Sequence, residues 1–238
     1  MTKLLVGVLV LVIDTLYGKR PYQRFYVLET VARVPYFSYL SVLHLYETLG
    51  WWRKADWLKV HFAEAWNELH HLLIMESLGG NKSWSDRFIA QHTALVYYWI
   101  IVALYMVTPR TAYHFMELVE GHAHHTYDTF LKENEAALKA QPAPQVAINY
   151  YRDGDLYMFD EFQTGAVPES RRPVVNNLYD VFVNVRDDEA EHVKTMVACQ
   201  QPDAQKTFKS PHTPDRQEGD VVLPPITDRE VKLAGMRQ

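Results

Sequence analysis

Apolar residues recur at three- and four-residue intervals in long stretches of this chain, and glycine, proline and serine punctuate them, so the pattern predicts an all-α fold. The first helical stretch runs from about Tyr22 to Thr48, with a bend expected at Pro35, and Gly50 closes it. A second runs from about Trp52 to Leu78 and stops at Gly79-Gly80. Ser83 and Ser85 are N-cap candidates for a third, from about Asp86 to Val107. Thr108-Pro109 sets a cap before a proline at the first helical position and starts a fourth, reaching about Lys139. From Gln141-Pro142-Ala143-Pro144 to Arg172 the composition is mixed, which predicts a long excursion with one short helix, of a length usually functional or covering. The last core helix is expected from about Pro173 to Gln200. Beyond Gln201 the residues predict an extended or mobile tail. The expected organisation is therefore an apolar arm (1–21), a helical core (22–200, with the 141–172 excursion inside it) and a tail (201–238).

The N-terminus, Met1-Thr2-Lys3 followed by Leu4 to Ile13, has the charged start and apolar centre of a signal peptide. No small-residue cleavage site follows, so the segment is expected to be retained. The longest uninterrupted apolar run, Ala94 to Val107, is about 14 residues, short of the roughly 18 that a spanning helix needs. A buried helix accounts for it, but Tyr97, Tyr98, Trp99 and Tyr105 also suit a headgroup boundary. With the apolar arm and the Lys19, Arg20 and Arg24 that follow, the chain is expected to lie in one leaflet of a membrane.

Composition narrows this picture. With 48% hydrophobic and 13% aromatic residues the chain can bury a sizeable core, and its net charge of -5 offers no basic footprint for nucleic acid. Two bound divalent ions would bring that charge to about -1. Cys199 stands alone, so no intramolecular disulfide forms.

The candidate chemistry lies in two Glu-x-x-His pairs, Glu68 with His71 and Glu189 with His192, each inside a helical stretch. Residues three apart share one helix face, so each pair can aim two ligands at one metal. Each is preceded by another Glu-bearing stretch, and bundles that hold two metals with carboxylates take one Glu from each of two helices and one Glu-x-x-His from each of two others. Glu29 sits among Phe25, Tyr26, Leu28, Val31 and Ala32, where an unpaired carboxylate costs several kcal/mol; Arg33, four residues on, is the competing partner. His61 and Glu64 are runner-up ligands. On the fourth helix, periodicity does not choose between Glu117, Glu120 and His124.

The segments Leu28-Glu29-Thr30-Val31-Ala32-Arg33-Val34-Pro35, Asn67-Glu68-Leu69-His70-His71-Leu72, Glu120-x-x-Ala123-x-x-Thr126-Tyr127 and Arg186-Asp187-Asp188-Glu189-Ala190-Glu191-His192 resemble the alternative oxidase superfamily. Tyr46-Glu47-Thr48-Leu49-Gly50-Trp51-Trp52-Arg53, Phe159-Asp160-Glu161-Phe162-Gln163-Thr164 and Arg171-Arg172-Pro173 are similar to its plastid terminal oxidase branch. The resemblance covers roughly residues 22 to 200. It implies a ferritin-like four-helix bundle with additional membrane-associating helices, and two iron ions per chain held by Glu29, Glu68, His71, Glu120, Glu189 and His192. It further implies a cyanide-insensitive oxidation of plastoquinol by O2 to give water, in a homodimer lying monotopically on a thylakoid or cyanobacterial membrane, with a place in chlororespiration. By the same resemblance Tyr127 is a redox tyrosine, Asn67 and Asp188 an outer hydrogen-bonded pair, and Arg24, Leu28, Val119, Ala123 and Thr126 the quinone pocket. His122 and Phe25 depart from the family's usual glutamate and cysteine. The residues before the core do not read as a plastid transit peptide, so a cyanobacterial, processed or trimmed chain is expected. Two other functions share the motifs: a di-iron monooxygenase or desaturase, and a non-enzymatic metal-binding protein of the membrane surface.

Overall fold

The computed structural model describes residues 7, 11, 13, 15–50, 55–153 and 173–201. Among the described residues these helices follow in order: α1 (Pro21–Ala32), α2 (Val34–Thr48), α3 (Ala55–Ser77), α4 (Trp84–Val107), α5 (Pro109–Lys139), α6 (Gln145–Asp153) and α7 (Leu178–Cys199). Among the described residues there is no strand, only an isolated bridge between Pro142 and Asn177. Most of the 1–21 arm, Trp51-Trp52-Arg53, Phe159 to Thr164, Arg171-Arg172 and nearly all of the 201–238 tail lie outside the described residues.

At the bend expected at Pro35 the helix is interrupted at one residue, Arg33, whose backbone stays in the right-handed helical region (φ -67°, ψ -19°). Pro35 falls in the first turn of α2, where its missing N–H costs nothing, and Arg33 separates the two helices. α3 ends in a left-handed Gly79 (φ +83°), with the Gly80 N–H donating to the Met75 carbonyl at 2.9 Å. A Cβ on Gly80 would stand 2.6 Å from the Tyr22 carbonyl oxygen, so this glycine lets the end of α3 press directly on α1. α5 begins at Pro109, as Thr108-Pro109 predicts. α7 starts later than Pro173, because the Asn177 side chain caps it by accepting from the Asp180 N–H at 3.0 Å.

α5 and α7 make the most extensive packing in the molecule, while α1 and α2 pack against both α3 and α4. The bundle is formed by α1, α3, α5 and α7, and two aromatic cores pack its helices, the second completed by α2 and α4. One holds Phe25, Met75, Tyr127 and Phe182; the other holds Tyr36, Tyr39, Trp57, Tyr113 and Met196. α4 lies outside the bundle. It is 24 residues long, with a mean hydropathy of 1.4 over an 18-residue window, and is long and apolar enough to cross a membrane. That corrects the shorter span expected above, because Gln91, His92 and Thr93 interrupt the apolar run without interrupting the helix. Only 17% of the window is buried, and Leu95, Val96, Trp99 and Ile100 all point outward.

Candidate metal centre

Each bundle helix brings its acidic or histidine residues to one point. α1 carries Glu29, α3 Glu68 and His71, α5 Glu120, and α7 Glu189 and His192, and none is more than 1% exposed. They form two overlapping groups, Glu29 with Glu68, His71 and Glu189, and Glu68 with Glu120, Glu189 and His192; within each, one donor atom per residue lies within 4.8 Å of the others. Glu68 and Glu189 belong to both. The geometry is thus two adjoining groups, each able to hold a metal ion, with two shared carboxylates and one Glu and one His private to each. His71 Nδ1 is 3.2 Å from Glu189 Oε1 and 3.7 Å from Glu29 Oε2, and His192 Nδ1 is 2.9 Å from Glu68 Oε1.

Glu29 Oε2, Glu120 Oε2, His71 Nδ1 and both carboxylate oxygens of Glu68 and Glu189 are buried without a hydrogen bond. Burial, and then the like charges of Glu29 and Glu120, push Glu68 well above the ordinary carboxylate range; burial, and then Glu68 and Glu120, do the same to Glu189. Burial opposes a charge on His71, but its hydrogen bond to Asp188 and the carboxylates of Glu29 and Glu68 outweigh that and raise it to about 10. Four carboxylates driven together in an apolar bundle cost several kcal/mol each unless cations offset them. A pair of divalent ions fits this donor set, since hard oxygens with imidazole suit first-row metals.

Around the ligands, Asp188 is the main organiser. Its Oδ2 accepts from His71 Nε2 at 3.0 Å, Asn67 Nδ2 at 2.9 Å and the Tyr151 hydroxyl at 2.8 Å. The first of these bonds turns Nδ1 of His71 toward the metal position. Asn67 also reaches the Tyr150 hydroxyl at 2.6 Å, so α6, the described part of the excursion, closes this network. Tyr127 donates to Glu29 Oε1, and Tyr36 donates to Glu120 Oε1 at 2.6 Å. Sequence reasoning missed Tyr36, Tyr150 and Tyr151. No local pattern marks them, because their partners lie 84, 83 and 37 residues away.

The remaining candidates stand apart. Arg33 lies over the Phe37 ring at 4.8 Å, and Glu29 accepts from Tyr127 instead. Glu117 turns outward, to His114 at 3.1 Å and Gln200 at 2.8 Å, and His124 is half-buried away from the cluster. His61 and Glu64 pair with each other at 2.9 Å, with His61 Nε2 2.9 Å from the Tyr113 hydroxyl. Burial pushes His61 down to about 3 and Glu64 up to about 8, so both are neutral at pH 7.

The five pocket residues divide between two cavities. Leu28, Val119 and Ala123 line an apolar one of about 560 Å³ that also touches Glu29 and is bounded by Ile13, Leu16 and α4. Arg24 and Thr126 line a polar one of about 470 Å³ with Lys19, His125 and Glu133. His122 lines both.

Residues 2–201 match the family described as alternative oxidase. The chain is 64% identical over 202 residues to ubiquinol oxidase 4, chloroplastic/chromoplastic, of Arabidopsis thaliana, covering 85% of this chain and 57% of that protein. It is 32% identical over 179 residues to ubiquinol oxidase 2, mitochondrial, of Glycine max, covering 74% of this chain and 48% of the relative. The chain therefore spans about half the length of the curated relatives it matches.

Proposed function

The chain belongs to the alternative oxidase family, and from that membership we propose that it is a membrane-associated, cyanide-insensitive oxidase that takes electrons from plastoquinol and reduces O2 to water. The observation that carries this reading is the largely apolar cavity against Glu29: a quinol headgroup there would stand one residue from the candidate metal positions, and the prenyl tail would meet mainly apolar wall such as Leu28, Val31, Ile89 and Ile100. Two irons are the proposed cofactor. Glu29 and His71 would hold one, Glu120 and His192 the other, with Glu68 and Glu189 shared. Bound there, the iron pair supplies the site of O2 reduction. The protein's own part is to keep water out of the bundle, fix His71 through Asp188, and hold the Tyr127 phenol proton against Glu29, the ligand that faces the cavity. In this reading Tyr127 relays an electron between quinol and metal through its bond to Glu29.

The cavity is bounded on one side by α4, whose outward face is apolar, and by Leu16 of the arm. That supports entry of quinol from a single leaflet. The name of the Arabidopsis relative favours a plastid membrane over a cyanobacterial one; a homodimer is proposed on family grounds alone.

Iron analysis together with oxygen-electrode kinetics tests the proposal. Purified protein should carry about two irons per chain and consume O2 with plastoquinol analogues and no other partner. A requirement for a reductase, or oxygen found in an organic product, would favour a monooxygenase or desaturase; iron without turnover would favour a metal-binding role. Tyr127→Phe should retain iron and lose turnover, and unchanged turnover would return that tyrosine to packing.

A further inference from the structure

Each private carboxylate of the centre carries one buried phenol, and the two phenols have opposite surroundings. Tyr127, on Glu29, is walled by phenylalanine: Phe25 stacks on it with 4.3 Å between ring centroids, and Phe182 lies 5.9 Å away. Tyr36, on Glu120, is followed by oxidisable rings. Tyr39 lies 6.3 Å from it, Tyr113 lies 5.0 Å from Tyr39, and Trp57 is 5.6 Å beyond Tyr113. A phenol or an indole gives up an electron far more readily than a benzene ring. An electron vacancy on Tyr127 is therefore confined, whereas one on Tyr36 can leave.

We propose that Tyr36, Tyr39 and Tyr113 form an escape route that carries one oxidising equivalent away from the metal pair when O2 has been reduced and no quinol is present to supply the remaining electrons. This rests on the oxidase function proposed above. Tyr36 gives one electron to the oxidised metal pair and its phenol proton to Glu120 Oε1, the oxygen that already accepts its hydrogen bond. An electron from Tyr39 and the same proton restore Tyr36. Tyr113 then restores Tyr39, whose hydroxyl stays bonded to the Ala112 carbonyl throughout. Tyr113 is the resting place because its hydroxyl has an imidazole partner: with the Nδ1 proton of His61 turned to Glu64 Oε2, Nε2 accepts the Tyr113 proton. The net change is one electron from Tyr113 to the metal pair and one proton from Tyr113 to His61. The next quinol returns the electron along the same rings, and the proton goes back from His61. This gives a role to the buried His61 and Glu64, which lie outside both metal groups.

Freeze-quench electron paramagnetic resonance of the iron-loaded protein mixed with O2 and no quinol tests the route. Ring-deuterated tyrosine identifies the radical. In the wild type a persistent tyrosyl signal is expected; in Tyr113→Phe it is lost or becomes short-lived. In Tyr39→Phe it stays on Tyr36, and peptide mass spectrometry finds oxidised Tyr36 and His192 that the wild type lacks. Iron content and helicity show that the variants are folded; His61→Gln, which removes the imidazole that accepts the Tyr113 proton and should shorten the signal in the same way, stands in for either that is not, and Tyr39→Trp, which keeps an oxidisable ring, should restore the wild-type signal. The same signal and the same damage in wild type and variants, or iron oxidation with no tyrosyl signal, would overturn the proposal. A variant-dependent radical without quinol-dependent O2 uptake would keep the route and remove the oxidase function, because oxidation of iron by O2 needs no quinol.

Discussion

On the Glu29 and His71 side of the centre, three donors converge on Asp188, the private carboxylate touches an apolar cavity, and the nearby phenol is enclosed by phenylalanines. On the Glu120 and His192 side, the private carboxylate faces a buried run of tyrosines and the His61 and Glu64 pair. Both sides use one Glu and one His and share Glu68 and Glu189. The ligand sets alone therefore do not distinguish the two positions; their surroundings do. One side borders an apolar cavity and is hydrogen-bonded through Asp188, and the other is lined with buried tyrosines.

The sharpest way to break this division is to remove a shared ligand and compare it with a private one. Glu68→Ala takes a carboxylate from both metal groups and should abolish bound iron and quinol-dependent O2 uptake, whereas Glu29→Ala leaves the other four-residue group whole and should retain iron there. Equal iron loss in the two variants, by elemental analysis, would show that the positions are not separable. Next in size, Asp188→Asn should weaken metal binding at the His71 side by about 10–100-fold, the usual cost of losing a group that orients a ligand. Calorimetric titration with a divalent metal reads this, and two unchanged affinities would sink it.

A smaller effect belongs to the other side. Burial moves Glu64 from 4.5 up to about 8, so the folded protein keeps a proton that the unfolded chain loses. The stability this contributes is full below pH 4.5 and is lost as pH rises through about 8, at about 1.4 kcal/mol per pH unit. Glu64→Gln should flatten that slope in denaturant unfolding, and an unaltered slope would show the carboxyl to be ionised in the fold. The smallest change expected is Tyr151→Phe, which removes one of the three bonds to Asp188 and should cost about 1 kcal/mol of stability while iron is retained. Complete loss of iron would instead make α6 indispensable to the site.

Much of this was legible along the chain. The helix starts at Pro109 and stop at Gly79-Gly80 follow from proline geometry and left-handed glycine, both local effects. The two Glu-x-x-His pairs are local too, because one turn of helix fixes their separation. Glu29 was harder, since an apolar neighbourhood with Arg33 four residues on reads equally well as an ion pair. The choice among Glu117, Glu120 and His124 needed the family resemblance, because a helix that packs against α7 along its length, with α1 and α4 also near, buries more than one face. Tyr36 and Tyr151 left no trace, and the five expected pocket residues fell into two cavities because Arg24 and Leu28, on one face of α1 but a turn apart along it, line separate cavities that meet at His122.

Local sequence, then, determined the helices, their ends and the paired ligands, since backbone hydrogen bonding and a fixed 3.6-residue turn act within a few residues. Tertiary structure decided which carboxylates are shared, which histidine Asp188 holds, and which phenol can pass on an electron. Those properties depend on atoms meeting across tens of residues of chain, and only the packing of α1, α3, α5 and α7 around one buried charge cluster brings them within bonding distance.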